Sequence, residues 1–199
     1  MDTNLWALIL GGSSGLGLAT AKKLASHGYH IIVVHRDRRS DMVDIETSFE
    51  EIRSYENQLI TLNADALNAE KRSGIISDIE LQLPEGHQIK VLVHSVAKGT
   101  LKPMYSESNS TLTDTDFRIT FDAMALSLYD WTKALVATNL FASDTRIISF
   151  TSEGNTKALP NNRLTTPDDV ANAVYLLTTD EAKWITGTVI KVDGGESLI

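Results

Sequence analysis

The sequence predicts an α/β fold of one domain: a doubly wound parallel sheet with helices on both faces, three layers in all. Three observations predict it. Continuous apolar runs such as Leu5 to Leu10 and Ile31 to Val34 alternate with segments of helical periodicity, as strands covered on both faces alternate with their crossover helices. A glycine turn stands between the first run and the first helical segment. No internal repeat beyond this βα alternation, and no low-complexity tract, competes with that reading.

The opening stretch carries the most information. Leu5 to Leu10 reads as a buried strand, Gly11-Gly12-Ser13-Ser14-Gly15-Leu16-Gly17 as a turn, and Leu18, Ala21, Leu24 and Ala25 as one face of a helix stopped by Gly28. Glycines placed so let the backbone approach a diphosphate lying on the helix N-terminus, where free N–H groups and the dipole favour negative charge. This is a Rossmann-type dinucleotide site by mechanism. The spacing is Gly11-x3-Gly15-x-Gly17 rather than Gly-x-Gly-x-x-Gly, and a turn serving packing alone is the other reading. A nucleoside-triphosphate loop would need Lys-Ser or Lys-Thr where the turn ends in Leu16-Gly17.

Composition narrows the function classes. The 199 residues, 42% of them hydrophobic, suffice for one domain with a substantial core. A formal charge of −8 disfavours nucleic acid and anionic membranes as partners. With no cysteine the chain has no disulfide, thiolate metal ligand or thiol nucleophile, and no metal site is expected. No apolar run approaches the roughly 20 residues that span a bilayer, and no basic stretch followed by a long apolar one opens the chain. A cytoplasmic protein with no membrane contact is expected.

The remaining elements follow in order. Tyr29 to His35 is a second strand, and Arg36-Asp37-Arg38-Arg39 follows at once. The end of the second strand selects the cofactor: an acid bonds the ribose hydroxyls, an arginine takes a 2′-phosphate. His35 and Arg36 therefore favour NADP(H), with NAD(H) possible; a solvated charge cluster with Asp37 and Asp41 is the other reading. Met42, Ile45, Phe49 and Ile52 mark a second helix, and Gln58 to Leu62 a third strand. Asp65, just beyond it, can accept from an adenine amine or cap a helix. Asn68 to Leu83 is a third helix and Ile89 to Val93 a fourth strand. His94-Ser95-Val96-Ala97-Lys98-Gly99 then lies at the carboxyl edge, where small residues let the backbone run beside a cofactor, or form a plain surface loop.

After the polar linker Asn109 to Thr115, Thr113-x-x-Asp116 starts a long helix predicted to run to Leu140. Its apolar residues, Phe117, Leu126, Trp131 and Leu135 among them, exceed one core face and predict a homodimer or homotetramer with two-fold axes. Thr145 to Phe150 is a fifth strand, with Ser152 beyond it able to donate to a substrate carbonyl or simply to shape a turn. Thr166-Pro167-Asp168-Asp169 starts a helix with Val170, Val174 and Leu177 facing the core, and Thr188 to Val192 reads as a last strand.

Gly11-x3-Gly15-x-Gly17, Asp65, His94-Ser95-Val96-Ala97, Ser152, Pro167-Asp168-Asp169-Val170-Ala171, Ile185-Thr186-Gly187 and Val192-Asp193-Gly194-Gly195 together resemble the short-chain dehydrogenase/reductase family over most of the chain. The His-Ser-Val-Ala run and the ending Glu196-Ser197-Leu198 are similar to its enoyl-acyl-carrier-protein reductase branch. The resemblance implies that Gly11, Ser13, Ser14, Gly15 and Leu16 hold the diphosphate, that Asp65 and Ala66 frame the adenine, and that Ser95, Val96 and Ala97 border the nicotinamide ribose. It implies reduction of a 2-enoyl thioester of fatty acid synthesis, the acyl group on a small molecule or a carrier protein. A 3-oxoacyl or other carbonyl reductase with Ser152 on the carbonyl, and a dinucleotide-binding module without catalysis, are the alternatives.

Two departures stand out. Met124 falls where the family carries Asn, or Ser in the enoyl branch. The catalytic Tyr-Lys helix expected after Ser152, the sixth strand and the substrate-covering loop have no counterpart. The expectation is one domain, residues 1–199, with an internal segment missing near 161–162.

Overall fold

The computed structural model describes residues 4–107, 110–152 and 163–198. β1 (Leu5–Leu10), β2 (His30–His35), β3 (Leu59–Asn63), β4 (Gln88–His94) and β5 (Phe141–Ser149) form one parallel sheet in the order β3-β2-β1-β4-β5. Between them run α1 (Gly15–Ala25), α2 (Met42–Arg53), α3 (Ala69–Gln82), α4 (Asp114–Phe121) and α5 (Ser127–Val136), and α6 (Pro167–Thr178) follows β5. No helix among the described residues is long and apolar enough to cross a membrane.

The apolar strands are covered on both faces, so alternate residues feed two cores. Trp6, Leu8, Leu10, Ile32, Val34 and Leu92 pack with Ile75, Ile76 and Ile79 of α3 and Trp131 and Leu135 of α5. Ala7, Ile9, Ile31, Val33, Val91 and Val93 pack with Leu24 of α1, Phe49 of α2 and Val174 of α6. Each large side chain buried this way contributes about 1.5–3 kcal/mol, so the predicted three-layer fold rests on material already visible in the runs.

Local signals hold where both partners are near in sequence. Thr113 and Thr166 each accept from the amide three residues on, while Asp116 and Asp169 accept from the amides of Thr113 and Thr166 in return. Pro167 opens α6, where its missing N–H costs nothing. Gly28, at φ +88°, follows the end of α1.

Two expectations need correction. The long helix is interrupted: a π turn, Asp122–Leu126, separates α4 from α5, and the extra residue in that turn rotates everything after it. Trp131 and Leu135 are consequently fully buried, with Trp131 Nε1 donating to the Ala66 carbonyl at 2.8 Å. They are core rather than surplus, while Phe117 and Leu126 remain 57% and 42% exposed. The helix ends at Val136, and Asn139 takes a left-handed φ of 58° before β5.

The second correction is the last strand. Residues 188–192 form no ladder among the described residues, and Val189 is 75% exposed. The physical reason is pairing: a strand needs a neighbour to take its N–H and C=O groups. No strand of the sheet pairs with residues 188–192 among the described residues. The position expected for the missing segment, 161–162, lies outside the described residues.

Candidate functional site

β1 leads to β2 on one side and β4 lies on its other side, so the crevice at the carboxyl ends of β1 and β4 is the topological switch point where ligands of such sheets bind. Gly11 lies at φ +83°, and a Cβ there would stand 2.3 Å from the Ser95 carbonyl oxygen. A Cβ on Gly17 would stand 2.1 Å from the Gly11 carbonyl oxygen. These glycines let the turn after β1 and the loop after β4 interlock, with the Ser95 amide donating to the Leu10 carbonyl at 2.8 Å.

Gly15 differs. It takes φ +53° with nothing within 4 Å of its would-be Cβ, so its absent side chain serves backbone shape and leaves space above α1. Ser14 caps α1 through an extended backbone without a side-chain hydrogen bond, and the first turn holds no acid. The leading amides beside Ser13, Ser14, Gly15 and Leu16 are thus not spent on a side-chain cap, as an anion site requires. The residues present fit a dinucleotide diphosphate.

At the adenosine end, His35, Arg36, Asp65 and Ala66 come together with an unforeseen wiring. The His35 ring is buried against Phe49, ring centroids 5.5 Å apart, and its Nδ1 lies 2.7 Å from Asp37 Oδ2. The Asn63 side chain clamps the Asp37 backbone, accepting from its amide and donating to its carbonyl, each at 3.3 Å. Held so, Arg36 points outward and Nη1 donates to Asp65 Oδ2 at 2.8 Å. The charge-cluster reading, in which Asp37 and Asp41 pair with the arginine loop, is not what forms: Asp37 takes His35, and Asp41 accepts from Ser40. Partial burial opposes ionisation of Asp65, but the Leu67 amide, Arg36 and Lys98 outweigh it and hold the carboxyl below its ordinary range. Ala66 is buried under Trp131.

At the nicotinamide end, Ser95 and Val96 are half-buried and Ala97 is exposed. His94 is buried, with Nε2 3.1 Å from Ser127 Oγ at the start of α5. Burial pushes the His94 pKa down, partly offset by a backbone hydrogen bond. Met124 sits in the π turn, half-buried. Ser152 is exposed three residues past β5. Asn63 and Ser127 were missed in the sequence; the signal for Asn63 was a polar residue closing an apolar strand, and Ser127 carried none.

A family model described as short chain dehydrogenase matches residues 5–163, and one described as enoyl-(acyl carrier protein) reductase matches residues 153–197. The 3-oxoacyl-[acyl-carrier-protein] reductase MabA of Mycobacterium tuberculosis is 24% identical over 234 residues, covering 96% of this chain and 92% of the relative. A probable 2,4-dienoyl-CoA reductase of Bacillus subtilis is 22% identical over 251 residues, covering 96% of each. This chain has 199 residues, so both alignments open gaps in it. Among solved structures, a short chain dehydrogenase from Burkholderia cenocepacia in complex with NADP superposes with a TM-score of 0.78 at 17% identity, covering 98% of each chain. The family model spans the sheet and the glycine interlock alike, and the chain belongs to the short-chain dehydrogenase/reductase family of NAD(P)-dependent oxidoreductases.

Proposed function

We propose that this chain binds NADP(H) in preference to NAD(H) and serves the reduction of a 2-enoyl thioester. The observation that supports the reading is the interlock of Gly11 and Gly17 with Ser95 and each other at the switch point, a backbone shape that would cradle a diphosphate. When bound, the reduced nicotinamide would supply the hydride for the β-carbon of the enoyl group. Arg36, just past β2, would take the 2′-phosphate, and the Ser95–Ala97 backbone would border the nicotinamide ribose. The enoyl-reductase description of the family model over residues 153–197 supports the choice of double bond. Ser152, past β5, would donate to the thioester carbonyl.

The proton donor is a separate matter. Residues 153–162 contain Lys157 but no tyrosine, and in this reading the tyrosine that would stabilise the enolate and relay the proton belongs to a segment inserted between Asn161 and the helix at Thr166. We place a Tyr-Lys helix and a sixth strand there in the catalytic protein. The 3-oxoacyl reductases among the relatives favour a second reading, carbonyl reduction with Ser152 polarising the ketone. A chain of 199 residues and no more would be a dinucleotide-binding module without turnover.

Intact mass spectrometry of the protein from its own cells, with NADPH consumption followed on 2-enoyl and 3-oxoacyl thioesters, tests these readings. A heavier protein that consumes NADPH on the enoyl substrate is the expected result. Turnover of the 3-oxoacyl substrate alone moves the assignment to carbonyl reduction, and a mass for 199 residues without turnover moves it to the module.

A further inference from the structure

Arg36 is the residue the dinucleotide reading offers to a 2′-phosphate, and its guanidinium is already engaged. Nη1 donates to Asp65 Oδ2 at 2.8 Å, while Asp65 Oδ1 accepts from the Leu67 amide at 3.0 Å. The carboxylate is therefore anchored from behind by the backbone. Arg36 has a side chain 63% exposed, on a loop fixed by the His35–Asp37 contact and the Asn63 clamp. The guanidinium can swing; its Cα cannot travel far. Arg38 and Arg39 are exposed and make no ion pair among the described residues.

We propose that Asp65 is a built-in competitor of the cofactor 2′-phosphate for Arg36, so that residue 65 sets the ratio of NADP(H) to NAD(H) affinity. The proposal rests on the dinucleotide reading above. A ribose without the phosphate leaves the Arg36–Asp65 pair intact. A 2′-phosphate must draw the guanidinium off the carboxylate, and it gains only the difference between two charge-assisted pairs. Asp65 is then left beside a dianion, with Lys98 as a remaining cation whose field reaches it. Both effects oppose NADP(H) and neither touches NAD(H). The adenine-facing role implied for Asp65 concerns the two cofactors equally, so it cancels in their ratio.

The test uses the 199-residue chain and fluorescence titration with NADPH and NADH. Adenosine 2′,5′-bisphosphate and 5′-AMP serve as a second pair of probes that lack the nicotinamide. Asp65→Asn is expected to raise the affinity ratio of the phosphorylated to the unphosphorylated ligand by roughly two- to five-fold, the worth of a partly exposed pair, while weakening or sparing both ligands alike. In an Arg36→Ala background the same change is expected to leave the ratio unmoved. An unchanged or lowered ratio in Asp65→Asn, or an effect that survives Arg36→Ala, overturns the proposal. So does loss of the effect in Arg38→Ala/Arg39→Ala with Arg36 intact. Wild-type chain that binds none of the four ligands overturns the dinucleotide reading itself and the competition with it.

Discussion

The centre of the sheet and its β5 edge are finished to different degrees. The central strands β2, β1 and β4 are sealed: Leu8, Ile9, Ile32, Val33, Leu92 and Val93 have no exposure at all. Beyond β4 the closure stops. β5 is one edge of the sheet, with Ile147 and Ser149 open to solvent, and residues 188–192 join no ladder among the described residues. The glycine interlock at the ends of β1 and β4 stands among the sealed strands, whereas β5 presents an open edge of the kind natural sheets protect. We propose that this open side is the substrate half and that a further strand and helix complete it.

The largest way to break this contrast is inside the cradle. Gly17→Ala would press a methyl carbon into the Gly11 carbonyl, 2.1 Å away, with backbone on both sides unable to yield. A loss of about 2–3 kcal/mol is expected, along with dinucleotide binding. Gly15→Ala meets no atom and pays only for its left-handed backbone, about 1 kcal/mol. Urea melts of both variants with an NADPH titration check the order; Gly17→Ala as mild as Gly15→Ala would show that the interlock is loose.

The next test concerns what covers the open helices. Phe117, Phe121, Tyr129 and Val136 on α4 and α5 are exposed, and we propose that a two-fold copy of the chain covers part of this surface. Light scattering at micromolar concentration is expected to give a dimer or tetramer, reduced to monomer by Phe117→Glu/Phe121→Glu. A monomeric wild type would remove assembly as the explanation of that surface.

Why the sequence carried some of this and not the rest comes down to distance along the chain. The glycine turn and the Thr113–Asp116 and Thr166–Asp169 caps are local, each read from a window of seven residues or fewer, and the structure forms all three. Trp131 was misplaced because helical periodicity was carried straight through Asp122–Leu126, where the π turn shifts the phase. Residues before that turn face out and Trp131 and Leu135 face in. The Arg36–Asp65 pair joins the ends of two different strands, 29 positions apart, and no periodicity foretells such a meeting. Residues 188–192 are rich in β-branched side chains and read as a strand, but propensity supplies no neighbour to pair with.

Acid should find the closed half first. Burial holds the His94 pKa below its ordinary value, so between the two values the unfolded chain binds a proton that the folded chain refuses. Stability is then fully present above the unfolded value of about 6.5 and falls as pH drops through it, until the folded protein is protonated too. Each unit of separation is worth about 1.4 kcal/mol. Chemical denaturation at pH 7.5 and pH 5.5 is expected to show a steeper acid loss for the wild type than for His94→Asn, which keeps a polar group near Ser127. Parallel pH profiles would mean that His94 titrates freely and that the β4 end is less sealed than its burial indicates.

The smallest effect is expected where the chain is open. Val93 and Val189 are the same residue type in runs of similar composition, yet Val93 has no exposure and Val189 is 75% exposed. Replacing either with threonine keeps the shape and swaps a methyl for a hydroxyl. In the closed half that hydroxyl loses water and must find a partner among Val33, Val91 and Ile9 side chains, which offer none, so Val93→Thr should cost about 1–3 kcal/mol. At Val189 the hydroxyl stays hydrated, and the change should fall within about 0.5 kcal/mol of zero. Paired denaturation curves decide it. A Val189→Thr cost approaching that of Val93→Thr would mean that residues 188–192 are packed in solution, by a second copy or by a strand laid against β5, and the substrate half would then be closed by a contact that this single chain does not supply.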